Sequence, residues 1–346
     1  MKDQENNIKV GFTTVDMNGV GPEILLRSLE NNELLSICTP VIYGPVRSLS
    51  HTLNHLGFDI SFNKISSADK SEEGKINVVD NFKNPPEISF GALNKEVGHA
   101  AFESIKMGVK DLKEGKIDVL VTPPINKEAI HSEDFQFMGH TDYIDSEING
   151  SSTMMMVSND LRIALLTEHI PVAKVTESIT PEIVENKVNV LSETLMRDFQ
   201  IERPKIALLS IDPHVGDGGV IAENDKKLIV PAIKKVQDSG VLVYGPFSAD
   251  SFFGSAEYKK YDLIIAAYHD QGLIPFKTLS FGMGVNYTSG LDRIRTSPDH
   301  GTAYDIAGKG LASKDSFLSS VFQALDIFKM RKTYDEYSKD KLQIQK

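Results

Sequence analysis

The sequence is poor in cysteine, in positive charge and in long apolar runs. A single cysteine, Cys38, stands among 346 residues, which excludes a disulfide within the chain and a cysteine metal cluster. Asp and Glu number 48 against 37 Lys and Arg, a formal net charge of -11. Because no basic excess is available to neutralise phosphates, no nucleic-acid or anionic-membrane partner is expected. A small anionic substrate held by a few placed cations is compatible with this balance.

Segments that would direct the chain to a membrane are also missing. The first residues, MKDQENNIKVGF, contain no apolar core of the signal-peptide type, and no apolar run approaches the length of a membrane span. Together with the single cysteine, this favours a reducing cytoplasm as the expected location.

Short apolar, β-branched runs alternate with longer segments of helical period. Strands are predicted at 8–14, 40–44, 118–122, 161–167, 205–210, 241–245 and 262–267, and Met154–Met156 are assigned to a core strand. Helices are predicted at 96–114, 182–197, 224–239 and 313–330, and the last sixteen residues, a charge-rich stretch that begins at Arg331, are predicted to form a frayed helix or tail. Strands that alternate with helices predict an α/β fold in which helices cover mostly parallel sheets. The chain length favours two domains.

Three of the nine histidines follow directly after predicted strands. They are His169 in LRIALLTEH, His214 in KIALLSIDPH and His269 in DLIIAAYH. In open α/β sheets ligands bind beyond the carboxyl ends of the strands, so one sheet could bring three imidazoles to a common edge. Such a set is a credible divalent-metal site with an open position for water or substrate. A single histidine in this position is more often an ordinary hydrogen-bonded loop residue.

A second set of polar residues has the character of an anion clamp. His140 lies in the turn MGHTDYI, and Lys277, Asn286 and Arg295 fall on a glycine-rich stretch that also carries Arg293 and His300. Two cations and an amide in such a stretch indicate anion binding, although a solvated loop is the simpler alternative. The other histidines, His51, His55, His99 and His131, are interpreted as surface or without a chemical role.

The common nucleotide-binding motifs are absent. The stretch DMNGVGPEIL, residues 16–25, follows the first strand and enters a helix, but its glycine spacing does not give G-x-G-x-x-G. No G-x-x-x-x-G-K-[ST] phosphate loop occurs either. The glycine-rich stretch GDGGVIAEN, residues 216–224, is interpreted as a mobile loop beside the histidine site.

Several stretches together resemble the 4-hydroxythreonine-4-phosphate dehydrogenase family of vitamin B6 biosynthesis. They are GVGPEI, PINK, GHTDY, DPHVGDGG, YHDQGLIPFK, GVNYTSGL and RTSPDHGTAYDIAGKG, from about residue 10 to residue 310. The last also resembles the cofactor loop of isopropylmalate and isocitrate dehydrogenases. The resemblance implies a two-domain α/β homodimer with an interdomain active site completed across the subunit interface. Residues 1–128 with 285–346 would form the first domain and residues 129–284 the second.

The resemblance also implies roles for individual residues. It makes His169, His214 and His269 ligands of one divalent ion (Zn, Mg, Co or Mn), and His140, Thr141, Lys277, Asn286 and Arg295 the substrate-binding residues. Asp250, Asp270 and Lys277 would be catalytic, and the general base would be Asp270, a lysine or metal-bound water. The adenosine part of NAD or NADP would lie on His300, Gly301, Thr302, Ala303 and Asp305.

The implied reaction is oxidation of 4-phosphohydroxy-L-threonine at its 3-hydroxyl, followed by loss of carbon dioxide to give 3-amino-2-oxopropyl phosphate. Met17, Asp217 and the Asp292-Arg293 pair depart from the usual pattern of the family, and the added charges leave the substrate open. A related dehydrogenase for threonate or erythronate phosphate is one alternative. A non-catalytic metal- or anion-binding module is another, and a metal-dependent hydrolase is disfavoured because the HGTAYDIAGKG loop would have no role.

Overall fold

The computed structural model describes residues 7–30, 32–133, 135–137, 139–280 and 282–339. Its strands are β1 Ile8–Thr13, β2 Cys38–Tyr43, β3 Phe62–Ile65, β4 Ile76–Val79, β5 Val119–Val121, β6 Gly150–Val157, β7 Arg162–Leu165, β8 Lys205–Leu209, β9 Leu242–Phe247, β10 Leu263–Ala266, β11 Val285–Leu291 and β12 Ile294–Pro298. Its α-helices are α1 Gly21–Leu29, α2 Val46–Leu56, α3 Lys95–Lys113, α4 Lys127–Ile130, α5 His140–Glu147, α6 Val175–Ser178, α7 Pro181–Asp198, α8 Val230–Asp238, α9 Ala249–Gly254, α10 His269–Ser280 and α11 Asp315–Ser338. The predicted α/β class is confirmed, and none of the helices in the described ranges is long and apolar enough to span a membrane.

The chain packs into two compact units. The first contains the residues up to Gly150 together with Leu291–Asp326, and the second contains Ser151–Gly290 and the chain from Ile327 onward. The predicted domains divide after residues 128 and 284, whereas these units divide after residues 150 and 290. Helix α11 therefore has residues in both units.

The strands of the first unit follow the order β3-β4-β2-β1-β5-β12, and each pairs with its neighbour in parallel. Helix α3 shows how the sequence builds this unit. The Asn94 side chain caps it by accepting from the Glu96 amide at 2.7 Å, as expected for an N-cap asparagine. The predicted apolar face is confirmed, because Ile105 and Leu112 are fully buried in the same core as Leu120 of β5.

The strands of the second unit follow the order β11-β6-β7-β10-β8-β9. Strands β7, β10, β8 and β9 are parallel, whereas β6 pairs with β7 in the antiparallel sense. The core strand predicted around Met154–Met156 is β6, and all three methionines are buried. Apolar side chains from β7, β8 and β10 form the core of this unit with Phe252 and Phe276.

The glycine-rich segment that contains Asn286 and Arg295 is not the solvated loop of the alternative interpretation. These two residues lie in β11 and β12. Both strands are mostly buried, so their run of small and β-branched residues packs as sheet despite the glycines. The two side chains are therefore held on regular backbone.

Candidate active site

The three histidines expected at strand ends follow strands that are neighbours in one sheet. Strand β10 lies between β7 and β8 and is parallel to both, with Ala266 opposite Leu165 and Ile265 opposite Leu208. His169, His269 and His214 come four, three and five residues after the last residues of β7, β10 and β8. Because parallel strands end at the same edge, the topology places all three histidines at the carboxyl edge of this sheet.

Two of these imidazoles are close together. The ring centroids of His169 and His269 are 5.6 Å apart, at an interplanar angle of 44°. His269 also has Nδ1 at 2.8 Å from Oδ1 of Asp270. A carboxylate at Nδ1 fixes the ring and leaves Nε2 as the nitrogen available to a metal ion, the arrangement common around metal-binding histidines.

The third histidine, His214, lies in a strained turn. From His214 to Gly218 every residue has a positive φ, including Val215 at 57° and Asp217 at 46°. Left-handed backbone costs a non-glycine residue about 1–2 kcal/mol, and it is especially unusual for β-branched valine. Within the described ranges, no three His, Cys, Asp or Glu side chains are grouped to hold an ion. The three-histidine metal site stays a prediction.

Two buried acidic side chains, Asp212 and Asp225, make hydrogen bonds to the residues on either side of this strained turn. The Asp225 carboxylate accepts from the backbone amides of Ile211 and Asp212, at 2.8 and 3.0 Å. The Asp212 carboxylate accepts from the backbone amide and the side-chain amide of Asn224, at 3.1 and 2.9 Å. The segment interpreted from sequence as a mobile loop is thus anchored at its C-terminal residue, Asn224, to Asp212 before the turn.

Asp250 stands beside His214 in the second unit. Both residues line a depression of about 220 Å³ whose wall also includes Tyr268 and Gln271. A hydrogen bond from the Ser248 hydroxyl, at 2.7 Å, lowers the pKa of Asp250, and the amide of Ser251 and the charge of His214 act in the same direction. The Asp250 carboxyl is therefore held in its ionised form.

The proposed clamp residues of the second unit differ in exposure. Lys277 lies on α10, eight residues after His269, and its side chain is exposed. Asn286 lies in β11, and its Oδ1 is buried without a hydrogen-bond partner in the part of the chain that the structure describes. A buried amide oxygen is costly to leave unpaired, so Oδ1 of Asn286 has acceptor capacity that the described residues do not use.

In the first unit, His140 and Arg295 form a buried polar group with Thr122. Arg295 donates from Nε and from Nη2 to Oγ1 of Thr122, at 3.0 and 2.6 Å. Burial lowers the pKa of Arg295 to about 10. Burial and then the charge of Arg295 lower the pKa of His140 well below its usual value, and its Nε2 lacks a partner within the described ranges. A buried guanidinium beside a neutral imidazole suits recognition of an anionic oxygen.

Two details of this group were not visible in the sequence. Thr122 directly follows β5, and its position at a strand end was the one signal that could have marked it. Arg293, which lies on the same glycine-rich stretch of sequence, donates from Nη2 to the carbonyl oxygen of Lys113 at the end of α3, at 3.1 Å. Thr141 follows His140 in α5 and is half-buried.

The candidate cofactor loop, residues 300–305, packs on the loop that follows β1. The amide of Val20 donates to the carbonyl oxygen of Thr302 at 3.0 Å. A Cβ atom at Gly19 would lie 2.9 Å from that same oxygen, a distance too short for a side chain. The stretch DMNGVG, which matched no nucleotide motif, therefore serves as the support for this loop.

Within the loop, His300 is half-buried and its Nε2 lacks a partner in the described ranges. Its Nδ1 lies 3.0 Å from the carbonyl oxygen of Gly301. Ala303 has a φ of 43°, so the chain turns sharply at this point. Gly301 and Asp305 are exposed, which leaves this side of the loop accessible to a ligand.

A family model described as pyridoxal phosphate biosynthetic protein PdxA matches residues 36–324. The chain belongs to the PdxA family. It is 43% identical over 330 residues to a 4-hydroxythreonine-4-phosphate dehydrogenase of Bacteroides thetaiotaomicron, a match that covers 95% of this chain and 91% of the relative. The resemblance inferred from the sequence motifs is confirmed, as is the expectation of an oxidoreductase.

Other relatives of the family carry a second name. A protein of Oceanobacillus iheyensis, 36% identical over 92% of this chain and 97% of its own length, is named a putative D-threonate 4-phosphate dehydrogenase. Among solved structures, 4-hydroxythreonine-4-phosphate dehydrogenase from Klebsiella pneumoniae superposes with a TM-score of 0.81 at 30% identity, covering 93% of this chain and all of that one (100%). The names thus divide between two phosphorylated substrates.

Proposed function

We propose that this protein is an NAD(P)-dependent dehydrogenase that oxidises 4-phosphohydroxy-L-threonine at its 3-hydroxyl. Hydride passes from C3 to the nicotinamide and the hydroxyl proton is released, which gives a 3-keto acid. Loss of the carboxylate as carbon dioxide then leaves an enolate, which takes up a proton at C2 to give 3-amino-2-oxopropyl phosphate. The observation that carries the proposal is the pair of rings, His169 and His269, 5.6 Å apart at adjacent strand ends in a chain of the PdxA family.

The residues for a divalent ion in this proposal are His169, His214 and His269. Imidazole nitrogens would bind Zn, Co, Mn and Mg with different affinities. The contact between Nδ1 of His269 and Asp270 leaves Nε2 of His269 as the nitrogen that would coordinate the ion. When bound, such an ion lowers the pKa of an attached hydroxyl, as it lowers that of water from about 15.7 to near 7, and stabilises the enolate left by decarboxylation.

The anionic ends of the substrate are assigned to the two polar groups described above. Arg295, oriented by Thr122, and the neutral imidazole of His140 would bind one of them, with Thr141 as a further hydroxyl donor. Lys277 and Asn286 would bind polar groups of the same substrate. Fixing both ends of a short substrate orients C3 for hydride transfer. The binding energy of the two ends thereby lowers the entropic part of the activation barrier.

Three residues of the second unit are assigned to proton handling: Asp250, Asp270 and Lys277. Asp250 is held ionised beside His214, and Asp270 contacts His269. Either carboxylate can accept the proton that leaves with oxidation of the alcohol. An ammonium group such as that of Lys277 can stabilise the negative charge that develops on decarboxylation.

The adenosine part of NAD or NADP is assigned to the loop 300–305 in place of a Rossmann motif.

We also propose that the protein is a cytoplasmic homodimer with its active site near the subunit interface. Two apolar side chains of α10, Ile274 and Leu279, are 65% and 50% exposed, which supports a partner surface beside the helix that carries His269. The buried, reduced Cys38 is compatible with the cytoplasm.

The proposal is tested by the appearance of NADH absorbance. Purified protein is mixed with NAD or NADP and either 4-phosphohydroxy-L-threonine, D-threonate 4-phosphate or erythronate 4-phosphate, with added divalent ions or with chelator. We expect turnover of the first substrate that chelator abolishes, and loss of turnover in a folded His269→Ala variant. Preference for a threonate or erythronate phosphate would establish the related dehydrogenase, which the name of the Oceanobacillus relative supports. Metal uptake without any nicotinamide reduction would indicate a binding module instead.

A further inference from the structure

The segment 89–92, which lies between β4 and α3, is held by Asn18. Oδ1 of Asn18 accepts from the amide of Ser89, and its Nδ2 donates to the carbonyl oxygen of Ala92, both at 2.8 Å. The carbonyl oxygen of Asn18 also accepts from the amide of Gly91, at 2.9 Å. Because Asn18 is fully buried, its hydrogen bonds fasten this segment firmly to the loop that follows β1.

The same segment packs closely on the chain of the candidate cofactor loop. Gly91 has a φ of 75°, and a Cβ atom there would lie 2.7 Å from the carbonyl oxygen of Tyr304. The ring of Phe90 lies against Gly308, where an added Cβ atom would be 2.5 Å from Cγ of Phe90. Nε2 of His55 in α2 lies 3.0 Å from the carbonyl oxygen of Gly308, and its ring is 4.8 Å from that of Phe90. The backbone at 304–308 therefore has little room to move away from its present position.

The segment 89–92 and the candidate cofactor loop share one support. The loop after β1 binds the segment through Asn18, and it binds the cofactor loop through Asp16 and Val20. A ligand of loop 300–305 therefore meets backbone that two other parts of the chain already hold. A loop that is ordered in advance binds its ligand more tightly, because less conformational entropy is lost on binding.

We propose that segment 89–92 positions the cofactor loop for the adenosine part of the nicotinamide cofactor, and that Asn18 and Gly91 are the positioning residues. The inference rests on the proposed assignment of that group to loop 300–305, where Nε2 of His300 lacks a partner in the described ranges. The segment acts before the nucleotide binds, by holding the backbone of the loop and of the residues that follow it.

The first test compares Gly91→Ala with Gly74→Ala in the full-length protein. Both glycines have a left-handed φ, 75° and 72°, but nothing lies within 4 Å of a Cβ atom at Gly74. The two variants therefore carry similar backbone strain, and only the first displaces the Tyr304 carbonyl oxygen. Calorimetric titration with ADP-ribose, which contains the adenosine part without the nicotinamide, measures the dissociation constant. We expect Gly91→Ala to bind about five- to tenfold more weakly than the parent, and Gly74→Ala to bind like the parent.

The second test removes the support of the segment instead of its contact. Asn18→Ala loses the side-chain hydrogen bonds to Ser89 and Ala92. Asn77→Ala is the matched control, because Asn77 is also fully buried and its side chain holds another segment, with bonds to the amide and the carbonyl oxygen of Glu72, both at 3.0 Å. We expect weaker ADP-ribose binding only in Asn18→Ala, while urea unfolding shows how much stability each variant loses. If Asn18→Ala does not fold, the glycine variants still decide the question.

Hydrogen exchange without nucleotide gives a readout that does not depend on binding. The amides of Ile306 and Lys309 donate to the carbonyl oxygens of Ala303 and Ile306, at 3.1 and 3.2 Å, so their exchange reports the order of this backbone. We expect these amides to exchange faster in Gly91→Ala and Asn18→Ala than in the parent and the two controls. Unchanged exchange together with unchanged affinity overturns the inference.

The outcomes separate this inference from the proposed function. If ADP-ribose binds the parent and slows exchange in residues 300–305, the cofactor assignment holds, and equal affinities of Gly91→Ala and Gly74→Ala then refute only the role of segment 89–92. If the parent binds no ADP-ribose, or binds it without slowing exchange in residues 300–305, the assignment of the cofactor to this loop fails and the inference fails with it.

Discussion

The hydroxyl of Tyr304 donates a hydrogen bond to Oδ2 of Asp16, a residue 288 positions earlier in the chain. Asp16 is buried, and Oδ1 of the same carboxyl group accepts from the amide of Asn18 at 3.0 Å. This contact fixes the candidate cofactor loop to the loop after β1. Burial, as the largest influence, raises the pKa of Asp16 even though these hydrogen bonds lower it.

Removing this contact should weaken binding of the nicotinamide cofactor. In Tyr304→Phe the buried carboxyl group loses a donor, which costs about 1–3 kcal/mol and releases the loop that carries His300 and Thr302. We expect the KM for NAD to rise several-fold with a smaller change in kcat, measured by initial rates at saturating substrate. Tyr337→Phe, at an exposed position of α11, is the control and should leave both constants unchanged.

The packing of Gly19 under the same loop gives a second prediction. In Gly19→Ala the new methyl group would meet the Thr302 carbonyl oxygen at 2.9 Å, so the loop must move away from its support. We expect a KM for NAD raised about tenfold, equivalent to about 1.4 kcal/mol, with Co²⁺ affinity unchanged. Gly254→Ala is the control, because nothing lies within 4 Å of its added Cβ. A Gly19→Ala enzyme with normal KM would show that this support is irrelevant to the cofactor.

The buried His140 should make stability depend on pH. Because burial lowers its pKa in the folded state, the unfolded chain takes up the proton first as the pH falls below about 6.5. The free energy of unfolding therefore decreases as the pH falls through this range. His140 contributes a slope of at most about 1.4 kcal/mol per pH unit.

Urea unfolding of the parent and His140→Gln between about pH 7 and 5 measures this slope. Buried Asp16 and Asp225 have raised pKa values and act in the opposite sense, so the difference between parent and variant isolates His140. We expect the variant to lose less stability on acidification. The exposed His99→Gln serves as the control, and equal slopes for all three proteins would contradict the prediction.

The C-terminal helix is anchored by a buried ion pair in the second unit. Arg331 donates from Nε and Nη2 to the two oxygens of Asp198, at 2.7 and 2.8 Å, and Tyr287 donates its hydroxyl to the same carboxylate. In Asp198→Asn the buried guanidinium loses its countercharge, and we expect a loss of about 3–5 kcal/mol in the free energy of unfolding.

The neighbouring pair of Arg197 and Asp335 offers a matched control. It is also bidentate, at 2.9 and 2.7 Å, but the Asp335 side chain is 46% exposed. Solvent screens such a pair, so Asp335→Asn should cost at most about 1 kcal/mol in urea unfolding. Similar losses in the two variants would mean that burial does not govern the strength of these pairs.

The sequence by itself determined the α/β class, the apolar face of α3, the strands that carry the histidines and the family. These features depend on the local period of apolar residues and on short motifs, both of which can be recognised in a single stretch of sequence. The same information left a solvated loop open as the alternative for the segment of Asn286 and Arg295, because its glycines and polar residues resemble a loop until neighbouring strands bury them. It also gave no reason to separate Arg293, which caps α3, from the buried Arg295.

Only the tertiary structure decided which strands are neighbours, and with it the approach of His169 to His269 across 100 positions of sequence. Strand order depends on side-chain packing and hydrogen bonds between distant segments, and no local pattern encodes it. The same is true of the hydrogen bond from Tyr304 to Asp16 and of the hydrogen bonds from Arg295 to Thr122. In each case the sequence shows which side chains can donate or accept a hydrogen bond, but only the tertiary structure shows which two groups are paired.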